Sequence, residues 1–295
     1  MIQNQDTGRV KVKKQSQAKM VWKNFKKNKL AIFGLFLILS MMLVSLFADM
    51  LFDYNKDALG RNIKERLQGP SLKHPLGTDE LGRDLLARIV FGGRISLFAG
   101  VAIVAISLTI GSILGATAGY YGGKVDNIIM RCMDVLLAIP TQLLAIAIVA
   151  ALGPSLFNLL VASTTSSVPR FARIIRSTII TEKEMEYIEA AKSCGTSDFR
   201  IITRHILPNA VGPIIVQGTL YIAFSILTLA SLSFLGLGVQ PPTPEWGSML
   251  SGARGQLRYY PHLGIFPGLA IIMAVMSLNL VGDGLRDALD PRLRN

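Results

Sequence analysis

Charge is scarce in this chain. Only 17% of its 295 residues are Asp, Glu, Lys or Arg, against about 25% in ordinary soluble domains. Cysteine is almost absent: Cys132 and Cys194 are the whole supply. That excludes a disulfide framework, and no His, Cys, Asp or Glu grouping has metal-ligand spacing. There is no phosphate-cradling G-x-x-x-x-G-K-[ST] loop. The nearest piece, Gly122-Gly123-Lys124, lacks both the earlier glycine and the following hydroxyl residue. No nucleophile–base pairing is legible, so the residues point to no catalytic site and no cofactor. No small-x-small cleavage site clearly follows the first apolar stretch, which is also too long for a signal peptide; no cleavable leader is expected.

What is present is apolar. Hydrophobic residues make up 51% of the chain, mean hydropathy is +0.44, and long stretches carry no charge. A span needs about 20 apolar residues, and the uncharged runs predict six, at about 30–50, 95–121, 130–152, 155–178, 209–235 and 262–283. Gly153-Pro154 divides the third from the fourth. The expected fold class is an all-α membrane protein, with a polar segment at 181–208 between the fourth and fifth spans. No ionisable residue is expected near the middle of a span. Proton-coupled carriers usually show such residues, so any driving force comes from elsewhere. The small residues of the second span (Gly100, Ala102, Ala105, Gly111, Gly115, Ala116, Gly119) suit close helix packing. Ser163-Thr164-Thr165-Ser166-Ser167 is a wet stripe that either lines a pathway or bonds neighbouring helices.

The net charge of +12 has two readings: nucleic acid, or basic loops on the inner face of a membrane. Residues 1–29 hold nine Lys and Arg and read as a cytoplasmic tail, with 30–295 as the membrane domain. Residues 18–29 are either a short interfacial helix or a plain positive anchor. With both termini inside, 21 of the 31 Lys and Arg fall on the cytoplasmic side. The first external loop nevertheless carries eight, interleaved with acids. In that loop, a surface helix is expected from Thr78 onward. Trp246 and Tyr259-Tyr260, in the last external loop, suit a membrane interface.

The polar segment has internal punctuation. Thr181 and Glu184 stand at capping-box spacing and predict a helix from about Glu182. Met185, Ile188 and Ala191 share a face. Gly195 suits a left-handed helix end. Ser197 can cap a second short helix carrying Phe199, Ile202 and Ile206, and Pro208 suits the first turn of the next. A helix-turn-helix fits the same spacing, but apolar spans on both sides argue against DNA or any nucleic acid.

Here the chain resembles a known family. Glu189-Ala190-Ala191, Gly195, Leu207 and Pro208 match E-A-A-x3-G-x9-I-x-L-P, the cytoplasmic loop signature of ABC importer membrane subunits. His205 occupies the isoleucine slot, with Ile206 one step later. His74-Pro75-Leu76-Gly77-Thr78-Asp79-Glu80-Leu81-Gly82-Arg83-Asp84 resembles the H-P-x-G-T-D-x-x-G-R-D segment of C-type permeases of the dipeptide/oligopeptide/nickel family. Residues 282–292 are similar to that family's C-terminal signature. The 74–84 run also invites a membrane-enzyme reading; turns and caps are the preferred one. The resemblance implies the type I importer permease fold and the cell membrane as location. It implies a second permease subunit in a heterodimer, two cytoplasmic ATPases, an extracytoplasmic solute-binding protein and surrounding lipid. Di- or oligopeptides are the expected solute, with nickel or a metal chelate as alternative. Glu189, Ala190, Ala191, Gly195, Leu207 and Pro208 would couple it to the ATPases.

Overall fold

The computed structural model describes residues 17–289; the basic tail before Gln17 and the end of the C-terminal signature, 290–292, lie outside them. The described chain is helical: α1 (Gln17–Phe25), α2 (Lys29–Leu46), α3 (Ala48–Leu51), α4 (Leu85–Tyr121), α5 (Gly123–Leu137), α6 (Thr141–Leu152), α7 (Leu156–Lys183), α8 (Glu186–Ser193), α9 (Asp198–Arg200), α10 (Leu207–Phe234), α11 (Trp246–Ala253) and α12 (His262–Leu289). Four helices, α2, α4, α10 and α12, are long and apolar enough to cross a membrane, and α5 with α6 makes a fifth crossing if that bent pair counts as one. α7 has the length, but its serines, threonines and arginines make it less apolar.

Close packing fixes how the helices run. On α4, Gly111, Gly115 and Gly119 recur every four residues and so share a face. A Cβ at these positions would stand 2.6 Å from Phe171 Cβ, 2.3 Å from the Ala172 carbonyl oxygen and 2.9 Å from the Arg176 carbonyl oxygen. Only glycine lets the α4 and α7 backbones touch this way, and the rising numbers on both sides make the pair parallel. Gly34 faces Ser277 and Leu280, while Gly284 faces Ala31, so α2 and α12 are antiparallel. Leu220 lies against Gly282 and Leu289 against Gly212, so α10 is antiparallel to α12. Thus α1, the α4 and α7 ends, segment 184–206 and the α12 end all gather at one end of the bundle. The outward face of α2 (Phe33, Phe36, Leu39, Leu43) is exposed, as a lipid-facing helix requires.

Several expectations need correction. The surface helix expected from Thr78 begins only at Leu85, capped by Asp84, whose Oδ1 accepts the Ala87 N–H at 2.9 Å. From there α4 runs unbroken into the second span, because nothing between Leu85 and Tyr121 interrupts it. The third span is broken: α5 and α6 meet at 84°. Pro140 forces the residue before it out of helical conformation and has no N–H to continue the ladder. The fourth span continues past 178 to Lys183. Arg170 therefore stands halfway along α7. Trp246 is not interfacial: it is 2% exposed, and its Nε1 donates to the Ile89 carbonyl at 2.9 Å.

The wet stripe on α7 is only partly bonded within the bundle. Ser166 and Ser167 donate to the Ser163 carbonyl of their own helix, Ser107 of α4 donates to the Thr164 carbonyl, and Tyr221 of α10 donates to Ser167 Oγ at 3.2 Å. The buried Ser163 and Thr164 hydroxyls have no partner among the described residues.

Candidate functional site

The segment between α7 and α10 hangs on one apolar knot. Ile188 of α8 is 0% exposed and packs with Ile175 and Ile179 of α7, Ala116 and Tyr120 of α4, and Ile201 and Ile206. Burying one such side chain contributes roughly 1.5–3 kcal/mol. That is enough to hold an eight-residue helix that would not persist alone.

The helix start differs from the expected one. Thr181 does not cap α8. It lies in the last turn of α7, where its Oγ1 donates to the Ser177 carbonyl at 3.2 Å. α8 begins at Glu186 after an extended Met185 that offers no side-chain cap. Glu186 and Glu189 in its first turn complement the positive end of the helix dipole.

The helix end is as expected. Gly195 has φ +72°. Its N–H donates to the Lys192 carbonyl at 2.9 Å, and the Thr196 N–H donates to the Ala191 carbonyl at 3.1 Å. This pair of bonds is the Schellman closure that a left-handed residue makes available. A Cβ on Gly195 would meet nothing within 4 Å, so the demand for glycine is conformational, not steric.

Beyond the bend, α9 leads into a wide π-helical turn, Ile201–Ile206, where the Leu207 N–H reaches the Ile202 carbonyl. In such a turn residues five apart share a face, and Ile201 and Ile206 are both fully buried. The wide turn lets Ile206, one step past the isoleucine slot at 205, stand on the same buried face as Ile201. His205 is left half-buried at the rim.

Polar ties brace the knot. Tyr120 OH donates to Asp198 Oδ1 at 2.7 Å, and Lys183 Nζ donates to the Tyr120 carbonyl at 2.6 Å. The Lys183 and Lys192 ammoniums lie 5.6 and 5.7 Å from the Tyr120 ring centre. Tyr187 OH donates to Glu182 Oε2 at 2.5 Å and accepts from Asn209 Nδ2 at 3.0 Å, joining α7, α8 and α10. Partial burial, then the bond to Glu182, pushes the Tyr187 phenol above its ordinary pKa of 10.0, so it stays a donor at neutral pH. Tyr120, Tyr187, Lys183 and Asn209 were not singled out by sequence. Their only signal was a position flanking apolar runs.

The six residues singled out divide by exposure. Glu189, Ala190, Gly195 and Pro208 are exposed, whereas Ala191 and Leu207 turn partly into the isoleucine knot. The free surface of α8 carries carboxylates and a small Ala190, and Phe199 of α9 is 77% exposed. It is a shallow, rigidly mounted face suited to receiving another protein, not a pocket.

The 74–84 loop spends its charges internally. Asp79 Oδ1 accepts the Leu81 and Arg83 N–H groups at 2.9 and 3.0 Å, and Arg83 Nε donates to Asp79 Oδ2 at 2.6 Å. Arg88 donates to the Ala58 carbonyl at 2.7 Å. His74 Nδ1 lies 2.7 Å from Asp84 Oδ2. These are caps and turns. Among the described residues no His/Cys/Asp/Glu group could hold a metal.

Comparison with known proteins agrees with this picture. Residues 107–295 match the family described as binding-protein-dependent transport system inner membrane component. Residues 16–70 match the N-terminal TM domain of oligopeptide transport permease C. A dipeptide transport system permease protein of Alkalihalophilus pseudofirmus is 50% identical over 93% of this chain and 90% of its own length. A glutathione transport system permease protein of Pectobacterium atrosepticum is 48% identical over 93% of this chain and 91% of its own. A di/tripeptide transport system permease protein of Pseudomonas aeruginosa is 44% identical over 95% and 94%. In fold, the chain is similar to a chain of the inward-facing MetNI methionine ABC transporter, with TM-score 0.53 and 17% identity over 70% of this chain and 98% of that one.

Proposed function

Because the chain belongs to the family of binding-protein-dependent transport system inner membrane components, it is a membrane permease subunit of an ATP-driven importer, not an enzyme, and we propose that its solute is a di- or oligopeptide. The observation that carries the proposal is the set of relatives at 44–50% identity, whose names give dipeptide, glutathione and di/tripeptide transport. None of those names supports the nickel alternative. Membership of the family implies partner ATPases and a solute-binding protein. The finer arrangement is part of the proposal: a heterodimer with a second permease, two ATPases, and residues 30–295 as one membrane domain after a cytoplasmic tail. The Lys and Arg bias supports placing both termini and segment 181–208 in the cytoplasm.

On this reading α8 is the coupling helix. Glu189 and Ala190 offer the docking face, Gly195 aims it, and Ala191, Leu207 and Pro208 transmit its displacement to α7 and α10 through the isoleucine knot. The knot and the tyrosine ties support this, because they make α8 move with both long helices. The test is to purify the assembled complex with its binding protein, identify the co-purifying solute by mass spectrometry, and measure its ATP-dependent uptake into proteoliposomes. A peptide that is both retained and imported is the expected result; a metal chelate as the imported solute would overturn the proposal.

A further inference from the structure

Arg170, Arg173 and Arg176 recur every third residue along α7, and only the last two are neutralised. Arg173 pairs with Asp134 at 2.9 Å, and Arg176 grips Asp126 through Nε and a terminal nitrogen, both at 2.5 Å. No carboxylate lies within 4.0 Å of Arg170 among the described residues. Its guanidinium lies instead over two rings of α10, 5.2 Å from the centre of Tyr221 and 6.0 Å from that of Phe224. The two rings lean on each other, with centres 5.2 Å apart. Arg170 is nevertheless exposed. At a rise of 1.5 Å per residue it stands roughly 20 Å from the Lys183 end of α7.

A guanidinium stays protonated at any ordinary pH, and holding one partway into an apolar bundle is costly unless it faces water or an anion. Stacking on aromatic rings satisfies its flat face. It leaves the N–H edge, the part that grips a carboxylate through two parallel bonds, without a described acidic partner. A bracing arginine would resemble its two neighbours, each paired within the chain.

We propose that Arg170, held by Tyr221 and Phe224, is a station on the transport path that receives the carboxylate of the passing peptide. This rests on the peptide reading, since a peptide carries a terminal carboxylate and a hydrated metal ion does not. Tyr221 and Phe224 act as positioning residues: they fix the guanidinium plane, and Tyr221 is itself anchored on Ser167.

The test uses the complete complex with its ATPases and binding protein in proteoliposomes, with radiolabelled dialanine and trialanine as probes. Arg170→Gln should lower ATP-dependent uptake about tenfold, the size expected for losing a charge-assisted bond, while the second permease and the ATPases still co-purify in unchanged ratio. Arg170→Lys should restore most of the rate by keeping the charge. Unchanged uptake in Arg170→Gln overturns the proposal, as does an Arg170→Lys complex as slow as Arg170→Gln. Loss of the second permease from the Arg170→Gln complex would make Arg170 an inter-subunit anchor and overturn it too. An unmutated complex that imports neither probe would instead strike at the peptide reading itself.

Discussion

Gly195 and Gly82 are both left-handed, at φ +72° and +76°, yet they fail differently when substituted. Around Gly195 space is open, so Gly195→Ala costs only the backbone strain, about 1 kcal/mol, and the subunit still inserts. A β-branched valine in that conformation costs more and tilts α9 away from α8. Uptake should therefore fall far more than membrane expression in Gly195→Val, read by immunoblot alongside transport. At Gly82 a Cβ would sit 1.8 Å from the Asn62 carbonyl oxygen. Gly82→Ala should destabilise the loop before α4 by roughly 2–3 kcal/mol and lower the yield of folded protein, seen as a lower melting temperature in detergent. Equal melting temperatures for Gly82→Ala and Gly195→Ala would contradict this contrast. Sequence marked Gly195 because a helix end was expected there. It gave no sign of the crowding at Gly82, which depends on Asn62 crossing beneath it.

Two elements carry the mechanical argument. α8 is fastened by Ile188, and Ile188→Ala should cost about 2–5 kcal/mol locally through the cavity it leaves. The expected result is a subunit that still spans the membrane but whose α8 amides exchange hydrogen faster than in the parent. α5 is fastened to α7 by Asp126 and Arg176. Arg176 grips Asp126 through Nε and a terminal nitrogen, both at 2.5 Å. Asp126→Asn should weaken that clamp, read as a lower detergent melting temperature, and an unchanged melting temperature would contradict it. At this scale sequence was half legible. The long apolar helices α2, α4, α10 and α12 were visible from charge-free runs, and Gly195 from helix-end chemistry. The α8 start was missed because Thr181 bonds back to Ser177 inside a helix that apolar Ile179 and Ile180 carry onward. The π-helical turn at 201–206 was hidden because a change of helical winding leaves no compositional mark.

For the whole molecule, the pattern of apolar runs conveyed the fold class because lipid forces every backbone group to bond within its own helix. It did not convey the broken α5–α6 crossing, which depends on how Pro140 turns, or the depth of Arg170, which depends on where α7 stops. Nor could it show that α8, α7 and α10 share one knot, since that is a tertiary fact. A subunit without a phosphate-binding loop, purified alone, should hydrolyse no ATP above background; robust hydrolysis would contradict the importer assignment. The central claim is that the exposed face of α8 receives the ATPase. Ala190 is exposed, so Ala190→Trp should leave the fold intact and obstruct only a docked partner. The decisive measurement is peptide uptake together with ATPase co-purification for Ala190→Trp at matched expression. The account expects the subunit in the membrane, ATPases lost or uncoupled, and uptake near background; normal uptake with a full complement of ATPases would contradict it.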